Sequence, residues 1–274
     1  MSTAKQGVFW IVLCSLALIG GAVDGQTSSS HSASAASSMD GDVRLSVGVF
    51  AVEQGARLAL EIVRDDPCVC LCDPIHVTAL SLLDASEATL WSEAYDPPID
   101  TVEWLGRLSL ATSNGEASLP EGSYKIIAAT TAGEFSAEIR IVPPAEMARF
   151  GRFSVSASVC GLELRLYRLI TQEDPGARLS MRQGDRLMVA LAGNATTGFQ
   201  WDNSLLYEYA VLRETEEAEY RPVPHPQTMV GFGGTFLFRY EAVDAGPQAF
   251  RFIYHRPWES VEPEQVVEFD ATVY

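Results

Sequence analysis

Three short segments near the end of the chain carry residue types suited to recognition chemistry. Gly193-Asn194-Ala195-Thr196-Thr197-Gly198-Phe199-Gln200-Trp201 sets an amide and two hydroxyls between glycines, then an alternating aromatic pair. Val230-Gly231-Phe232-Gly233-Gly234-Thr235 is a glycine-rich run whose backbone can approach another surface closely. Tyr254-His255-Arg256-Pro257-Trp258-Glu259 presents Arg and Trp, the types that most often dominate protein interfaces. Bond-breaking chemistry has less to work with. The chain has no Gly-x-Ser-x-Gly elbow, no phosphate-binding glycine loop and no His-Glu-x-x-His helix. His31, His76, His225 and His255 are scattered over strand and loop contexts without a partnering nucleophile. The sequence therefore assigns no catalytic residue, metal ligand or cofactor, and an enzyme is not expected.

Each segment alone also fits an ordinary turn or hairpin loop. Together, and in this order, they resemble the chagasin family of cysteine peptidase inhibitors, which carries Asn-Pro-Thr-Thr-Gly before an aromatic, then a glycine-rich loop, then Arg-Pro-Trp. Thr235-Phe236-Leu237-Phe238-Arg239-Tyr240 and Asp244-Ala245-Gly246 follow the same pattern, and the resemblance runs from about Gly161 to Tyr274. It implies a β-sandwich that plugs the cleft of papain-like cysteine peptidases with one tip. Asn194, Ala195, Thr196, Thr197, Gly198 and Phe199 would enter the centre of the cleft, with Thr196 against the catalytic Cys and His. Gly231, Phe232, Gly233 and Gly234 would lie along one wall through their backbone, and Arg256, Pro257 and Trp258 would reach the other. Phe199 and Trp201 alternate with Gln200 on the strand leaving the loop, so both are expected in the core.

One departure matters. Ala195 stands where the family usually has Pro, which forgoes about 0.4–1 kcal/mol of loop pre-ordering. The same change writes a glycosylation sequon, Asn194-Ala195-Thr196, and a glycan there would block the tip.

The elements that must hold these loops are strands. Val43–Val52, Arg57–Val63, Ile75–Leu83, Thr89–Tyr95, Leu105–Ala111, Gly122–Thr130 and Glu134–Val142 are short apolar or alternating runs. Asp96-Pro97-Pro98, Asn114-Gly115 and Ala132-Gly133 supply turns between them. Past Pro143-Pro144, similar runs recur at Leu162–Ile170, Arg186–Leu191, Leu205–Leu212, Gly234–Ala242, Gln248–His255 and Val266–Tyr274. The fold class is all-β: two immunoglobulin-like β-sandwiches in tandem. Residues 42–145 form the first, of unassigned role, and residues 150–274 the inhibitor-like second.

At the other end of the chain, Lys5 precedes a short apolar run, Val8 to Gly20, with small residues at Gly20 and Ala22. Residues 1–25 read as a signal peptide or a membrane anchor. The Ser/Ala-rich stretch that follows, residues 26–41, reads as a flexible stalk. Location is thus expected to be secreted or extracytoplasmic, with any membrane contact confined to the N-terminal segment. Export makes Cys68, Cys70, Cys72 and Cys160 disulfide candidates; a metal site with His76 is the alternative, at a spacing that matches no standard zinc pattern. A net charge of −17 excludes nucleic acid as a partner. An adhesion module built of tandem sandwiches is the competing functional class, and inhibition of papain separates the two.

Overall fold

Alternation of apolar and polar residues fixes much of the architecture. In the computed structural model, which describes residues 50–64, 74–110, 118–149, 158–159, 162–203, 211–223 and 233–274, almost every element is a strand. The segments expected to be a signal or anchor and a stalk, His31, His225, all the cysteines, Gly231 and Phe232 lie outside those residues.

The first strands are β1 (Phe50–Val52), β2 (Arg57–Arg64), β3 (His76–Asp84), β4 (Thr89–Asp100), β5 (Gly106–Ser109), β6 (Gly122–Thr130) and β7 (Gly133–Ile141). A 3₁₀ turn at Pro144–Arg149 leads on to β8 (Ser158–Val159) and β9 (Leu162–Thr171). Then come β10 (Arg178–Met181), β11 (Arg186–Gly193), β12 (Gln200–Asn203), β13 (Leu212–Pro222), β14 (Gly234–Ala242), β15 (Gly246–His255) and β16 (Gln265–Val273). They form three sheets, ordered β1-β7-β6-β3-β4, β10-β16-β15-β12 and β13-β14-β11-β9-β2-β5, with β8 pairing β9 beside the last.

Strands covered on one face keep period two. In β7 Phe135, Ala137, Ile139 and Ile141 are buried, and in β16 Val267, Phe269, Ala271 and Val273 alternate with exposed Glu268 and Asp270. The long sheet differs, because β9, β11 and β14 are buried on both faces and read as nearly continuous apolar runs. One face of β9 serves two cores. Leu162, Leu164 and Leu166 pack with β2, β3, β6 and β7, whereas Ile170 packs with the aromatic core of β14, β15 and β16. On its other face Tyr167 and Leu169 join Ala59, Met188, Ala190 and Leu237 in a third cluster.

Arg168 occupies the point between the two main cores, 1% exposed. Its Nη2 donates to the carbonyls of Ala51 (3.4 Å) and Ser180 (2.8 Å) and to Glu53 Oε2 (2.8 Å), and its guanidinium lies 5.8 Å from the Phe50 ring centre. A buried charge is tolerated only with such partners. Strand β9 also pairs with β2 over Leu58–Arg64. A boundary between residues 145 and 150 therefore leaves a strand on its C-terminal side that pairs and packs with residues on its N-terminal side.

Three local expectations are corrected. Asp96-Pro97-Pro98 makes no turn but lies within β4, where Ala79 pairs with Ala94 and Val77 with Ile99, so the prolines bulge from an edge strand that needs few of their hydrogen bonds. Strand β13 arises from Leu-Arg-Glu-Thr-Glu-Glu-Ala-Glu-Tyr-Arg-Pro, which has no apolar alternation because it is also an edge strand and mostly exposed. The short β10 was likewise not expected; it pairs in parallel with β16 through Arg178–Met181. Of the strand expected at Leu205–Leu212, only the last residues are described.

Arg168→Ala leaves Glu53 and two buried carbonyls without their donor. It should lower the unfolding free energy by about 3–5 kcal/mol in urea titrations. A loss under about 1 kcal/mol, the size of an ordinary surface change, would show that Arg168 does not join the cores.

Candidate interaction tip

Strand register gathers the described residues of the three motifs at one end of the C-terminal sandwich. Gly193, the last residue of β11, pairs with Gly234, the first of β14, and Gly234 also pairs with Pro222, the last of β13. In the facing sheet Gln200, the first residue of β12, pairs with His255, the last of β15. The connections after Gly193, Pro222 and His255 thus leave from a common edge. Tyr254 ties the sheets together there: its hydroxyl accepts the Asn194 N–H (2.7 Å), and its ring lies 5.0 Å from both Phe199 and Trp201. Trp201 Nε1 donates to the Ala192 carbonyl at 3.0 Å.

The first loop is rigid by its own hydrogen bonds. Asn194 caps a 3₁₀ turn at Ala195–Thr197, its Oδ1 accepting from the Thr196 N–H (3.1 Å) and hydroxyl (2.6 Å). Thr197 Oγ1 donates to the Asn194 carbonyl at 2.7 Å. Gly198 closes the turn at φ +81°, a left-handed conformation that costs any residue with a Cβ. Ala195, Thr196 and Thr197 are left exposed.

The Arg-Pro-Trp segment braces that turn. Arg256 Nε donates to the Thr197 carbonyl (3.2 Å), its guanidinium lies 4.4 Å from the Phe199 ring centre, and Nη1 pairs with Glu259 (2.9 Å). Such stacking of a cation on an aromatic face is worth about 0.5–1 kcal/mol at an exposed site. Arg256 is therefore engaged inside the tip. Trp258 is free to meet a partner: it lies over Gly198, where an added Cβ would come 2.8 Å from Cζ2, and remains 68% exposed. Pro257 beside it is exposed as well. His255 Nε2 meets Asp202 Oδ2 at 2.6 Å, and Gln200 donates to the same carboxylate, so this histidine has a structural partner.

Close approach explains the glycines at the loop stems. A Cβ on Gly193 would come within 2.9 Å of both Phe236 and Tyr254, and one on Gly234 within 2.5 Å of the Arg221 carbonyl. Gly233 lies against the Gly193 carbonyl, 3.1 Å from where its own Cβ would stand. As expected, Trp201 is buried in the aromatic core, and Phe199 packs partly against it.

Sequence reasoning missed Tyr254 as the organiser, although it opens the third motif, and Glu259 as the partner of Arg256. It also missed Val261 and Val223, exposed apolar side chains on the connections at this end. Among the described residues no three His, Cys, Asp or Glu side chains come together as metal ligands.

Gly198→Ala should cost about 1–2 kcal/mol of stability, because it forces a Cβ into the left-handed region and against Trp258. The same variant should shift Trp258 fluorescence, which denaturation and emission spectra measure together. An unchanged stability would mean that the turn can adopt another backbone conformation freely.

Comparison with known proteins places this tip in context. The family model described as Chagasin family peptidase inhibitor I42 matches residues 180–273. Amoebiasin-2 of Entamoeba histolytica is 26% identical over 124 residues, which cover 44% of this chain and 98% of that protein. Chagasin of Trypanosoma cruzi is 30% identical over 93 residues, 32% of this chain and 81% of that protein. Among solved structures, the cysteine protease inhibitor EhICP2 from Entamoeba histolytica is 23% identical with a TM-score of 0.35, covering 39% of this chain and 94% of its own. Members of the family inhibit cysteine peptidases and are not enzymes. Through its C-terminal region, the chain belongs to the chagasin family of peptidase inhibitors.

Proposed function

We propose that this protein is a reversible inhibitor of papain-like cysteine peptidases that acts by wedging the tip into the active-site cleft. The observation that carries the reading is a pre-formed, exposed tip: Ala195–Thr197 held out by the Asn194 cap, and Trp258 held beside them over Gly198. A loop already ordered before binding has little entropy to lose on docking. The turn reaches that order without the usual proline, because the Asn194 and Thr197 side chains supply the bonds.

In this reading Asn194 to Phe199 occupy the centre of the cleft and Thr196 faces the catalytic Cys and His. The run at Gly231, Phe232, Gly233 and Gly234 lines one wall through its backbone. On the other side Trp258 and Pro257 make the contact, and Arg256 acts chiefly as the strut between the two loops. No covalent step is involved, since a threonine hydroxyl in an intact loop offers the thiolate no electrophile. An export segment and stalk at residues 1–41 would set the inhibitor outside the cytoplasm, where a host that glycosylated Asn194 would inactivate it.

Titration of papain with the full chain tests the proposal, and a folded protein that leaves papain fully active ends it. Trp258→Ala should weaken inhibition by about 1–3 kcal/mol, about 5- to 150-fold in the inhibition constant. Thr196→Ala should cost less, about 0.5–1.5 kcal/mol, the worth of one hydrogen bond. The melting temperature of Trp258→Ala should hardly move, because the ring is mostly exposed. If Trp258→Ala unfolds the sandwich while the folded fraction inhibits normally, the ring is a packing residue.

A further inference from the structure

The proposed binding tip uses no residue from the first half of the chain, yet one carboxylate of that half reaches the stems of the tip. Glu61 on β2 is 3% exposed. Its Oε2 accepts from Arg239 Nε on β14 (3.0 Å), and its Oε1 from Arg239 Nη2 (2.6 Å) and from Arg221 Nη2 on β13 (3.1 Å). Glu219 completes the cluster, accepting from Arg221 Nε (2.7 Å) and Arg239 Nη2 (2.6 Å). In the sheet order β2 stands three places from β14, about 14 Å away in a flat sheet. The sheet therefore curls over Tyr167, Met188 and Leu237 until the two strands can share an ion pair.

Arg221 stands at the base of the glycine-rich connection. It pairs with Thr235 one step before Pro222 meets Gly234, and its carbonyl is the nearest atom to the space a Gly234 Cβ would need. The next rung is the Val223 N–H donating to the Gly233 carbonyl at 3.1 Å, and Gly233 in turn abuts the carbonyl of Gly193. A continuous set of contacts thus runs from Glu61 through Arg221 to the stems of both the glycine-rich connection and the first loop. We infer that Glu61 is a positioning residue for inhibition: it clamps Arg221 and Arg239 so that the stems at Val223, Gly233 and Gly193 stay in the geometry the peptidase meets. The role of the first half of the chain in inhibition then lies in this clamp and needs no contact with the peptidase. The inference rests on the tip being the peptidase-binding surface.

Cementing the sheet without affecting the tip would be a purely structural role, and the experiment separates the two. Full-length wild type, Glu61→Gln and Leu82→Ala are titrated against papain, with association and dissociation rates, melting temperatures and amide exchange at Val223 measured in parallel. Leu82 is buried in the core shared by β2, β3 and β6, away from the clamp, and its loss serves as the stability control. Glu61→Gln keeps the shape of the side chain and removes the charge. It should raise the inhibition constant about tenfold, mostly through faster dissociation, and speed exchange at Val223. Leu82→Ala should lower the melting temperature while leaving both readouts in place. If Glu61→Gln lowers only the melting temperature, the clamp is structural cement and the inference fails. If wild type itself does not inhibit, the tip reading has failed and takes the inference with it. Should Glu61→Gln not fold, Arg221→Gln, at a side chain 24% exposed, carries the same comparison.

Discussion

Covering both faces of one sheet is the constraint on which the rest of this molecule depends. The strands that carry the tip, β11 and β14, present Leu187, Val189, Phe236, Phe238 and Tyr240 to the aromatic core and Met188, Ala190 and Leu237 to the opposite face. A sandwich in isolation would leave that second face in water. Here it is closed by the curl of the same sheet, which brings Ala59 of β2 and Tyr167 of β9 over it. Burial of this kind leaves no place for an unpaired charge, so the charged residues that do enter come in compensated sets. Arg168 joins Glu53 and two carbonyls on one face, and Glu61 joins Arg239 and Arg221 on the other. Burial also pushes the Tyr167 hydroxyl up to about 12, with the Glu61 carboxylate adding to the shift. That phenol stays neutral and the cluster keeps its charges paired.

The tip follows a different rule, because it must be ordered and exposed at once. Its order comes from local chemistry: an Asn cap, a left-handed glycine and an arginine stacked on an aromatic ring. Each contributes on the order of 1 kcal/mol, and none requires that Thr196 or Trp258 be buried. Core packing enters at Tyr254, which spans from the aromatic interior to the Asn194 amide, and at Phe199, which packs on that interior and carries Arg256 on its ring. Two aromatic side chains therefore connect the stability of the core to the placement of the loop.

Much of this was legible in the sequence wherever one physical signal sufficed. Alternation in β6, β7, β15 and β16 gives their bounds to within a few residues, because each has one buried face. The motifs mark the tip because they combine residue types that ordinary turns seldom bring together. Partnership between distant strands was not legible. The run Leu162–Ile170 reads as a strand, but nothing in it says that one half packs with β3 and the other with β15. Arg256 shows the same limit in reverse. Its type suggested an outward contact, and nothing in the sequence shows that the Thr197 carbonyl, Phe199 and Glu259 also hold the guanidinium. Glu61 is one acid among 36 and carries no local mark, since its role exists only once the sheet has curled.

The strong acidity of the chain also acquires a structural meaning in β13. This strand ends its sheet, so the backbone groups along its outer side are open to pairing with another chain. Glu214, Glu216 and Glu217 are exposed there, and the register slips between Glu214 and Glu216 and again between Glu216 and Glu219. Glu216 pairs with Arg165, but the charges of Glu214 and Glu217 and the irregular spacing both oppose the addition of a strand. Glu219, on the same strand, serves the interior instead. Burial works against its charged form, but hydrogen bonds from Arg221 and Arg239 outweigh it and hold its pKa below the usual range. A carboxylate shifted in that sense contributes stability above its unfolded pKa and gives it up only as pH falls through the lower folded value. Its share of the clamp thus persists into acid that would protonate an ordinary surface glutamate. The same residue type, repeated along one strand, opposes pairing at the outer edge of the sheet and, at Glu219, holds the two arginines that meet Glu61 of β2.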